Sequence, residues 1–439
     1  MGAKRRPSKE QRQRNGREEA KKTSKLNKLI NEEAKKEENK HKKKPAPSFL
    51  TLAFITMMFL LFLLALVRLE LTDASVTSRR GQDREMLLAF VVNRHGERSP
   101  DADELSLAEE PERIRNITYI EGLEGLTNVG KRRAYQIGKF LRQRYGPQGW
   151  KLLSHIYFQD EIMLRSTDKE RTKMTAMMAM SALYPPAPEQ QWDEGLGKVW
   201  QPVPYTAVPL SEDYLRYYSN CQHFKQLMSD AKVQALREEF ANYTDLIAVI
   251  KANTGRDFAE DVTLFQILFD LYRSEVAMGL EIPKWAKPLM PRLEEAAKLA
   301  YRLYFRTDEM KKIGGGVILN DFLEAASALA EGKTVKKRFR MFSSHDFNIG
   351  SLMEVSKVQR QEQSIPEYGS LFGLELYRSI STGELTVLPI YLPHAGESRV
   401  QQLHFASGET SFDRFRESTL EYALPEHDYY KICNIKTEL

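Results

Sequence analysis

Arg94, His95 and Arg98 lie within five consecutive positions, directly after the apolar run 86–92. A guanidinium group matches the geometry of phosphate oxygens and stays charged at any working pH, and a neutral imidazole can attack phosphorus as a nucleophile. The alternative is a basic surface turn. With each residue type at about one in twenty, the five fixed positions Arg, His, Gly, Arg and Pro recur by chance about once in three million windows. The segment therefore predicts a site that binds and attacks phosphate.

Three short strands are predicted to position this site. The run 86–92 is apolar at every position, which is typical of a parallel strand covered on both faces. Segments 162–164 and 339–342 are the other two candidates, and polar groups follow each strand. Ligands bind at the carboxyl ends of the strands in open α/β sheets, so we expect one pocket there. Its predicted members are Arg94, His95, Arg98, Arg165, His345 and Asp346.

Helical patterns separate these strands, so the predicted fold class is α/β. Thr127 is expected to cap a helix that ends at Gly146, and Thr167 to cap a second helix that stops before Pro185. Residues 212–310 are mostly helical in pattern, with charged faces. They predict a helical cap inserted into the α/β domain.

Two further segments carry turn signals. Residues 314–316 are three glycines, expected to form a turn before a helix; a phosphate-binding P-loop is excluded because no Lys-Ser or Lys-Thr follows. Segments 374–377 and 385–392 flank 381–384 and predict a hairpin. None of the 8 histidines has another histidine or cysteine at metal-site spacing, so no metal and no other cofactor is expected.

The amino-terminal segment differs in composition from the rest of the chain. Residues 1–48 contain 17 Lys and Arg against 7 Glu, a local charge of 17 − 7 = +10, so the remainder carries 5 − 10 = −5. This segment has no aromatic side chain to stack on bases. We expect a disordered cytoplasmic tail and no binding of nucleic acid.

The run 49–67 contains 19 residues and no charge, enough to cross a hydrocarbon core of about 30 Å. It predicts a transmembrane anchor over 49–69, followed by a polar stalk over 70–85. A cleaved signal peptide is the alternative, but the run is long and lies far from the start of the chain. Residues 42–44 are three lysines and only Arg68 follows, which places the amino terminus in the cytosol. The prediction is a single-pass type II membrane protein with a lumenal or extracellular catalytic part; lysosome, Golgi and plasma membrane all stay open.

Features of the predicted lumenal part agree with that topology. Asn116 and Asn242 each begin a sequon for glycosylation. Cys221 and Cys433 are the only two cysteines, and an even count in an oxidising compartment permits a disulfide. Two unpaired buried thiols are the alternative.

Residues 94–100 read Arg-His-Gly-Glu-Arg-Ser-Pro, and this motif resembles the signature of the histidine acid phosphatases. Further stretches resemble the same family in the same order, at 126–131, 164–168, 184–186, 208–213 and 344–346. The likeness covers roughly residues 85–433 and is greatest to the branch with the prostatic and lysosomal acid phosphatases. It implies a three-layer α/β domain like that of the phosphoglycerate mutases, spanning 86–439. It also favours pairing of Cys221 with Cys433 and admits a homodimer.

The resemblance and the residues together predict the roles in hydrolysis of a phosphomonoester. Arg94, Arg98 and Arg165 bind the phosphoryl oxygens, and His95 attacks phosphorus to give a phosphohistidine. His345 donates to a phosphoryl oxygen, and Asp346 protonates the leaving alcohol. Two alternatives are a membrane-tethered binding protein that has lost activity and a mutase-like transferase. The physiological substrate is not encoded in any motif that we could identify.

Overall fold

The computed structural model describes residues 83–192, 199–359, 364–396, 401–405 and 410–436. The predicted tail (1–48), anchor (49–69) and nearly all of the stalk (70–85) lie outside the described residues. The first strand begins at Arg84, one residue before the predicted end of the stalk.

A six-stranded mixed sheet forms the centre of the domain, in the order β2-β3-β1-β5-β6-β7. β1 and β2 both pair in parallel with β3, whereas β5, β6 and β7 continue the sheet antiparallel from β1. A separate pair joins β4 and β8. The strands are β1 (Arg84–Arg94), β2 (Ile162–Ser166), β3 (Phe339–Ser344), β4 (Val358–Gln359), β5 (Leu371–Ser379), β6 (Leu385–Leu392), β7 (Gln401–Gln402) and β8 (His404–Phe405).

The three predicted parallel strands are confirmed, and they are neighbours. β1 is buried at every position from Met86 to Arg94, as its uninterrupted apolar run predicted. In register, Val92 of β1 lies opposite Phe342 of β3, and Arg165 of β2 lies opposite the same residue. The carboxyl ends of the three strands therefore lie side by side at one edge of the sheet.

Thirteen α-helices surround the sheet in the described part of the chain. Four lie between the carboxyl end of β1 and residue 183, six lie between residues 217 and 330, one follows β3, and two follow β8. They are α1 (Ala102–Leu105), α2 (Pro111–Ile117), α3 (Asn128–Tyr145), α4 (Glu170–Leu183), α5 (Tyr217–Asn220), α6 (Gln222–Arg237), α7 (Thr244–Thr254), α8 (Leu264–Ala277), α9 (Met290–Arg302), α10 (Asp308–Ala330), α11 (Asp346–Val355), α12 (Phe412–Thr419) and α13 (Glu426–Ile432).

Residues 212–310 contain helices and no strand, as their pattern predicted. Within the described residues, α10 is the one helix that is long and apolar enough to cross a membrane, but 67% of its apolar window is buried inside the protein. It packs against α11 and β1 and is therefore a core helix.

The glycine triplet 314–316 lies inside α10, so the predicted turn is wrong. Glycine is needed there for close packing. A Cβ on Gly315 would lie 2.6 Å from the carbonyl oxygen of Ser351 in α11, and one on Gly316 would lie 2.4 Å from that of Tyr422. The triplet lets two neighbouring segments contact the α10 backbone directly.

Local signals at the other helix ends had mixed outcomes. Thr127 caps α3 by accepting from the N–H of Gly130, at 3.1 Å, and α3 ends before Gly146 as predicted. The predicted cap by Thr167 is wrong, because α4 begins at Glu170 and Lys169 is its capping position. The hairpin is confirmed, since β5 and β6 pair antiparallel.

Cys221 and Cys433 form a disulfide, with their Cα atoms 4.4 Å apart. It joins the start of α6 to the end of α13, across 212 residues of chain. The sequons lie at exposed positions, Asn116 in α2 and Asn242 just before α7.

Candidate active site

The loop 95–100 continues from β1 and is buried along its whole length. The N–H of His95 donates to the carbonyl oxygen of Ser344 at 3.1 Å, and the carbonyl oxygen of His95 accepts from Gly369 at 3.0 Å. Glycine is required at position 96, because a Cβ there would lie 2.4 Å from the carbonyl oxygen of Gly130 in α3. The loop is therefore fixed between the edge of the sheet and one helix.

The two ring nitrogens of His95 have partners that define the tautomer. Nδ1 lies 2.8 Å from the carbonyl oxygen of Gly96, and Nε of Arg171 lies 3.2 Å from Nε2. A carbonyl oxygen only accepts and a guanidinium only donates, so Nδ1 carries the hydrogen and Nε2 carries the lone pair. Burial lowers the pKa of His95 well below its ordinary value, as do the charges of Arg171 and Arg94. The imidazole therefore stays neutral to a lower pH than an ordinary histidine.

Arg94, the last residue of β1, is only 2% exposed. Its Nη1 donates to the carbonyl oxygen of Pro366 at 2.7 Å, while Nη2 lies 3.3 Å from Asp270 and 3.2 Å from Asp346. Burial opposes its charge, but Asp346 and Asp270 raise the pKa of Arg94 above its ordinary value. Its Nε has no hydrogen-bond partner among the described residues.

Arg98 is held by Glu104 of α1 through two parallel hydrogen bonds of 2.6 and 2.7 Å. Burial opposes the charge of Arg98, but Glu104 raises the pKa of Arg98 well above its ordinary value. Such a bidentate pair fixes the plane of the guanidinium. As with Arg94, its Nε has no hydrogen-bond partner among the described residues.

Arg171, the second residue of α4, is buried and donates to both His95 and Glu124. Glu124 also accepts from Lys169 at 2.9 Å. Partial burial would raise the pKa of Glu124, but Lys169 and Arg171 lower it to about 2. Glu124 is therefore a carboxylate that neutralises part of the cationic wall beside the imidazole.

His345 lies at the carboxyl end of β3, with its ring centroid 5.5 Å from that of His95. Its Nε2 lies 3.1 Å from Oγ1 of Thr167 and 3.4 Å from Nη1 of Arg216. Burial lowers the pKa of His345 well below its ordinary value, and the charge of Arg216 adds to the effect.

Asp346, the first residue of α11, is only 5% exposed. Its Oδ2 lies 3.2 Å from Nη2 of Arg94, and its Oδ1 accepts from the N–H of Phe347 at 2.9 Å. Burial raises the pKa of Asp346, and Asp270 contributes to the rise, while Arg94 opposes it. The carboxyl group therefore keeps its proton to a higher pH than an ordinary aspartate.

These side chains line one cavity of about 330 Å³. It also has an aromatic wall, in which the rings of Tyr304 and Phe347 stack with centroids 3.9 Å apart and Tyr218 contacts Phe347 at 4.9 Å. An imidazole with a lowered pKa, several fixed guanidinium groups and a carboxyl group with a raised pKa thus face a common space. The lining residues with such chemistry include Arg94, His95, Arg98, Arg171, Arg216, His345 and Asp346.

Residues 85–387 match the sequence model of the histidine phosphatase superfamily (branch 2). The chain belongs to this family. The chain is 31% identical over 328 residues to a venom acid phosphatase of Apis mellifera, and the alignment covers 74% of this chain and 81% of that protein. It is 30% identical to the prostatic acid phosphatase of Homo sapiens (67% and 74% covered) and 28% identical to the lysosomal acid phosphatase of Pongo abelii (72% and 73% covered). This chain is therefore an acid phosphatase, and acid phosphatases are hydrolases.

Solved structures agree on the fold of the histidine phosphatase. A phytase of Klebsiella superposes with a TM-score of 0.57 at 16% identity, covering 78% of this chain and 95% of that one. A phytase of Citrobacter braakii superposes with a TM-score of 0.56 at 13% identity, covering 78% and 99%. At these identities the likeness concerns the fold alone.

Of the six predicted site residues in this histidine phosphatase, the cavity brings together five: Arg94, His95, Arg98, His345 and Asp346. Arg165 does not line it. Its Nη2 pairs with Asp213 at 2.8 Å, and its guanidinium carbon lies 3.9 Å from the centre of the Tyr214 ring. The prediction for Arg165 is therefore corrected.

The place expected for Arg165 is occupied by Arg171, which the sequence analysis missed. The reason lies in the backbone: Arg165 is still inside β2, with its side chain turned toward Asp213, whereas Arg171 opens the helix that follows. A helix that starts at the carboxyl edge of the sheet directs its first turn at the ligand site. The position of Arg171 in the first turn of the helix after β2 was therefore the sequence signal that could have identified it as a site residue.

Proposed function

We propose that this acid phosphatase hydrolyses phosphate monoesters through a phosphohistidine formed on Nε2 of His95, in a domain held to a membrane by residues 49–69. The observation that carries the proposal is the pair of contacts on the imidazole. Gly96 at 2.8 Å and Arg171 at 3.2 Å place the hydrogen on Nδ1 and the lone pair on Nε2, within the cationic cavity; Arg171 passes its N–H to a phosphoryl oxygen before that lone pair attacks. A nucleophile that is neutral and already oriented needs no general base.

Three guanidinium groups support binding of the phosphoryl group. Arg94 and Arg98 each have an Nε–H without a partner among the described residues, and both line the cavity. Arg171 adds a third cation next to Nε2 of His95. Buried donors without partners are costly, and a phosphate oxyanion would satisfy them. Fixed positive charge around the transferring group is the main source of catalysis in phosphoryl transfer.

Asp346 is suited to act as the acid. In the first step Nε2 of His95 forms a bond to phosphorus, the P–O ester bond breaks, and the proton of Asp346 passes to the leaving oxygen. In the second step water attacks phosphorus and gives its proton to Asp346, and the P–N bond breaks to release inorganic phosphate. Burial keeps the pKa of Asp346 raised, which favours the acid form that the first step requires. We propose that His345 donates to a phosphoryl oxygen, which requires that its Nε2 exchange the 3.4 Å contact with Nη1 of Arg216, a donor, for a hydrogen of its own.

The membrane part of the proposal rests on sequence. The uncharged run 49–67 is long enough to span a bilayer, and the lysines at 42–44 favour a cytosolic amino terminus. The lysosomal and prostatic acid phosphatases among the relatives suggest a lumenal or secreted catalytic domain. The disulfide between Cys221 and Cys433 is compatible with an oxidising compartment.

The mechanism is tested by trapping. The full-length protein in detergent is mixed with ³²P-labelled phosphomonoester, quenched within milliseconds and analysed for an acid-labile, base-stable label. We expect label on the wild type and on His155→Ala, which removes an exposed histidine, and no label and no turnover for His95→Ala. Turnover by the wild type without any such label would refute the phosphohistidine.

The anchor is tested separately, by extraction of membranes with alkaline carbonate and by protease protection. We expect the chain to stay in the membrane fraction, with its catalytic part protected in sealed vesicles. Release of the chain into the supernatant would refute the anchor and leave the chemistry unaffected.

A further inference from the structure

Asp270 is a buried carboxylate beside the catalytic groups that has no role in the steps above. It lies on α8, is 7% exposed, and its two oxygens lie 3.4 and 3.3 Å from Nη2 of Arg94. The same nitrogen lies 3.2 Å from Oδ2 of Asp346. Two carboxyl groups from different helices therefore converge on one nitrogen of Arg94.

The charged surroundings of the two carboxyl groups are unequal. Asp270 has two arginines at hydrogen-bonding distance, Arg94 and, one turn further along α8, Arg273 at 3.4 Å. Among the described residues, Asp346 has one arginine at such a distance, Arg94, together with the N–H of Phe347. Burial alone would raise the pKa of Asp270, but Arg94 and Arg273 bring it below its ordinary value. Of the pair, Asp270 has the lower pKa, and Asp346 keeps its proton to the higher pH.

Every element around the pair contributes ionisable groups. Asp270 faces Arg94 from β1, Arg98 from the following loop, Glu104 from α1 and Tyr368 from the segment before β5. Asp346 is next to His345 and close to three tyrosines, Tyr217, Tyr218 and Tyr304. Burial raises the pKa of each tyrosine, so their phenols are neutral. Within the described residues, Asp270 is the one carboxylate that shares the arginine of Asp346.

We propose that Asp270 is a positioning residue that sets the upper pH limit of catalysis, because its negative charge and its ion pair with Arg94 keep the proton on Asp346. This inference rests on the proposed role of Asp346 as the acid. A like charge close to an acid disfavours its ionisation, and a cation engaged by a second carboxylate stabilises the first one less. Both effects act in the same direction here.

Asp270 could act through its charge or only by holding Arg94 in place, and the geometry allows these two roles to be distinguished. The guanidinium of Arg94 is also fixed by the carbonyl oxygen of Pro366 at 2.7 Å and by the ring of Tyr368, 4.1 Å from Cζ. Asp270→Asn keeps an oxygen that accepts from Arg94 but removes the charge. Asp270→Glu keeps the charge. The two variants should therefore differ in the pH dependence of kcat.

The test is the pH profile of kcat for the full-length enzyme between pH 4 and 8. Two substrates are compared, glycerol 2-phosphate, whose alkoxide needs a proton to leave, and p-nitrophenyl phosphate, whose phenolate leaves without one. For D270N with glycerol 2-phosphate we expect the alkaline limb of kcat to move to lower pH by about one unit. The shift should be smaller with p-nitrophenyl phosphate. D270E should keep the limb of the wild type.

The matched control is Asp321→Asn, which neutralises an aspartate that pairs with Arg340 and does not line the cavity. Its profile should equal that of the wild type. If D270N does not fold, Asp270→Ser provides a smaller neutral side chain with the same expected shift. Equal limbs in wild type and neutral variants, with kcat lowered at every pH and for both substrates, would overturn the proposal and leave Asp270 a structural support. If the alkaline limb of kcat does not move in D270N while the wild type still forms the ³²P adduct, the role of Asp270 is wrong and the proposed function stands. If the wild type turns over substrate without forming the adduct, the proposed function is wrong.

Discussion

Nε of Arg171 lies 3.2 Å from Nε2 of His95, although 76 positions separate the two residues. Because a guanidinium has donors only, this contact assigns the lone pair of the imidazole to the nitrogen that faces the cavity. The same contact adds a positive charge next to the histidine, one of the causes of its lowered pKa. Arg171 therefore acts with Gly96 to set the tautomer of the proposed nucleophile, and with burial to lower its pKa.

Replacing Arg171 by alanine should lower kcat by about 10²–10³-fold, the usual effect of removing one donor to a developing oxyanion. Arg171→Lys should recover only part of the loss, because a lysine lacks the planar fork. Steady-state kinetics with a phosphomonoester give both values. Circular dichroism spectra equal to that of the wild type would show that the variants are folded.

Arg165→Ala provides the matched comparison and should affect stability instead. Its loss leaves Asp213, which is 0% exposed, without its ion pair, and breaking such a buried pair costs about 3–5 kcal/mol. Urea unfolding measures the cost, and kcat per folded molecule should stay within about twofold of the wild type. A loss of kcat in R165A as large as that in R171A would restore Arg165 to the site.

Glu124→Gln should strengthen binding of inorganic phosphate. Glu124 contacts both Lys169 and Arg171, so its charge offsets the cations that would face a phosphoryl group. We expect the inhibition constant of inorganic phosphate to fall by about 1.5-fold to fivefold, the size of a partly exposed ion-pair effect. Since the pKa of Glu124 is about 2, the difference should persist from pH 4 to pH 7. Weaker binding in the variant would show that Glu124 mainly orients Arg171.

Burial of neutral histidines should make the fold sensitive to acid. Below a pH of about 6.5 the unfolded chain binds a proton on His345, while the folded protein, with the pKa lowered by burial and Arg216, does not. The unfolded state then binds more protons, so the free energy of unfolding falls as pH falls, by about 1.4 kcal/mol per unit for each such group. His345→Gln should reduce this slope between pH 6.5 and 5 in urea titrations. Identical slopes in the two proteins would contradict the neutral state of His345.

The sequence predicted the elements whose signals are local and periodic. The apolar run before Arg94 identified β1, and Thr127 with Gly146 bounded α3. The strand ends then predicted five of the cavity residues, because parallel strands present their carboxyl ends at one edge. That argument uses only the order of strands and needs no knowledge of side-chain direction.

What failed depends on tertiary contacts. The glycines at 314–316 signal a turn when the sequence is read locally, but α11 and Tyr422 approach α10 so closely that only glycine fits there. Arg165 follows a strand signal like that of Arg94, yet Asp213 draws it away from the cavity. Thr167, an ordinary helix cap by sequence, bonds instead to His345. Each error involves a partner more than 30 positions distant in the chain.

Gly130→Ala should impair both folding and catalysis, because the helix α3 contacts the catalytic loop through this residue. A Cβ on Gly130 would lie 2.1 Å from the carbonyl oxygen of Glu97, which also accepts from the N–H of Thr127 at 2.9 Å. Alanine favours a helix by about 1 kcal/mol over glycine, so propensity alone predicts a more stable protein. Overpacking against backbone predicts a loss of about 1–3 kcal/mol instead.

Gly138→Ala is the control for this prediction, since it lies on the same helix and its Cβ would lie 1.9 Å from the carbonyl oxygen of Ala179, away from the loop. Both variants should be less stable in urea unfolding. Only G130A should also lose kcat per folded molecule, because the atoms that it displaces belong to the segment that carries His95 and Arg98. If G138A loses kcat equally, the effect of G130A comes from general destabilisation of α3. If G130A unfolds at higher urea than the wild type, the close contact between α3 and the loop is wrong.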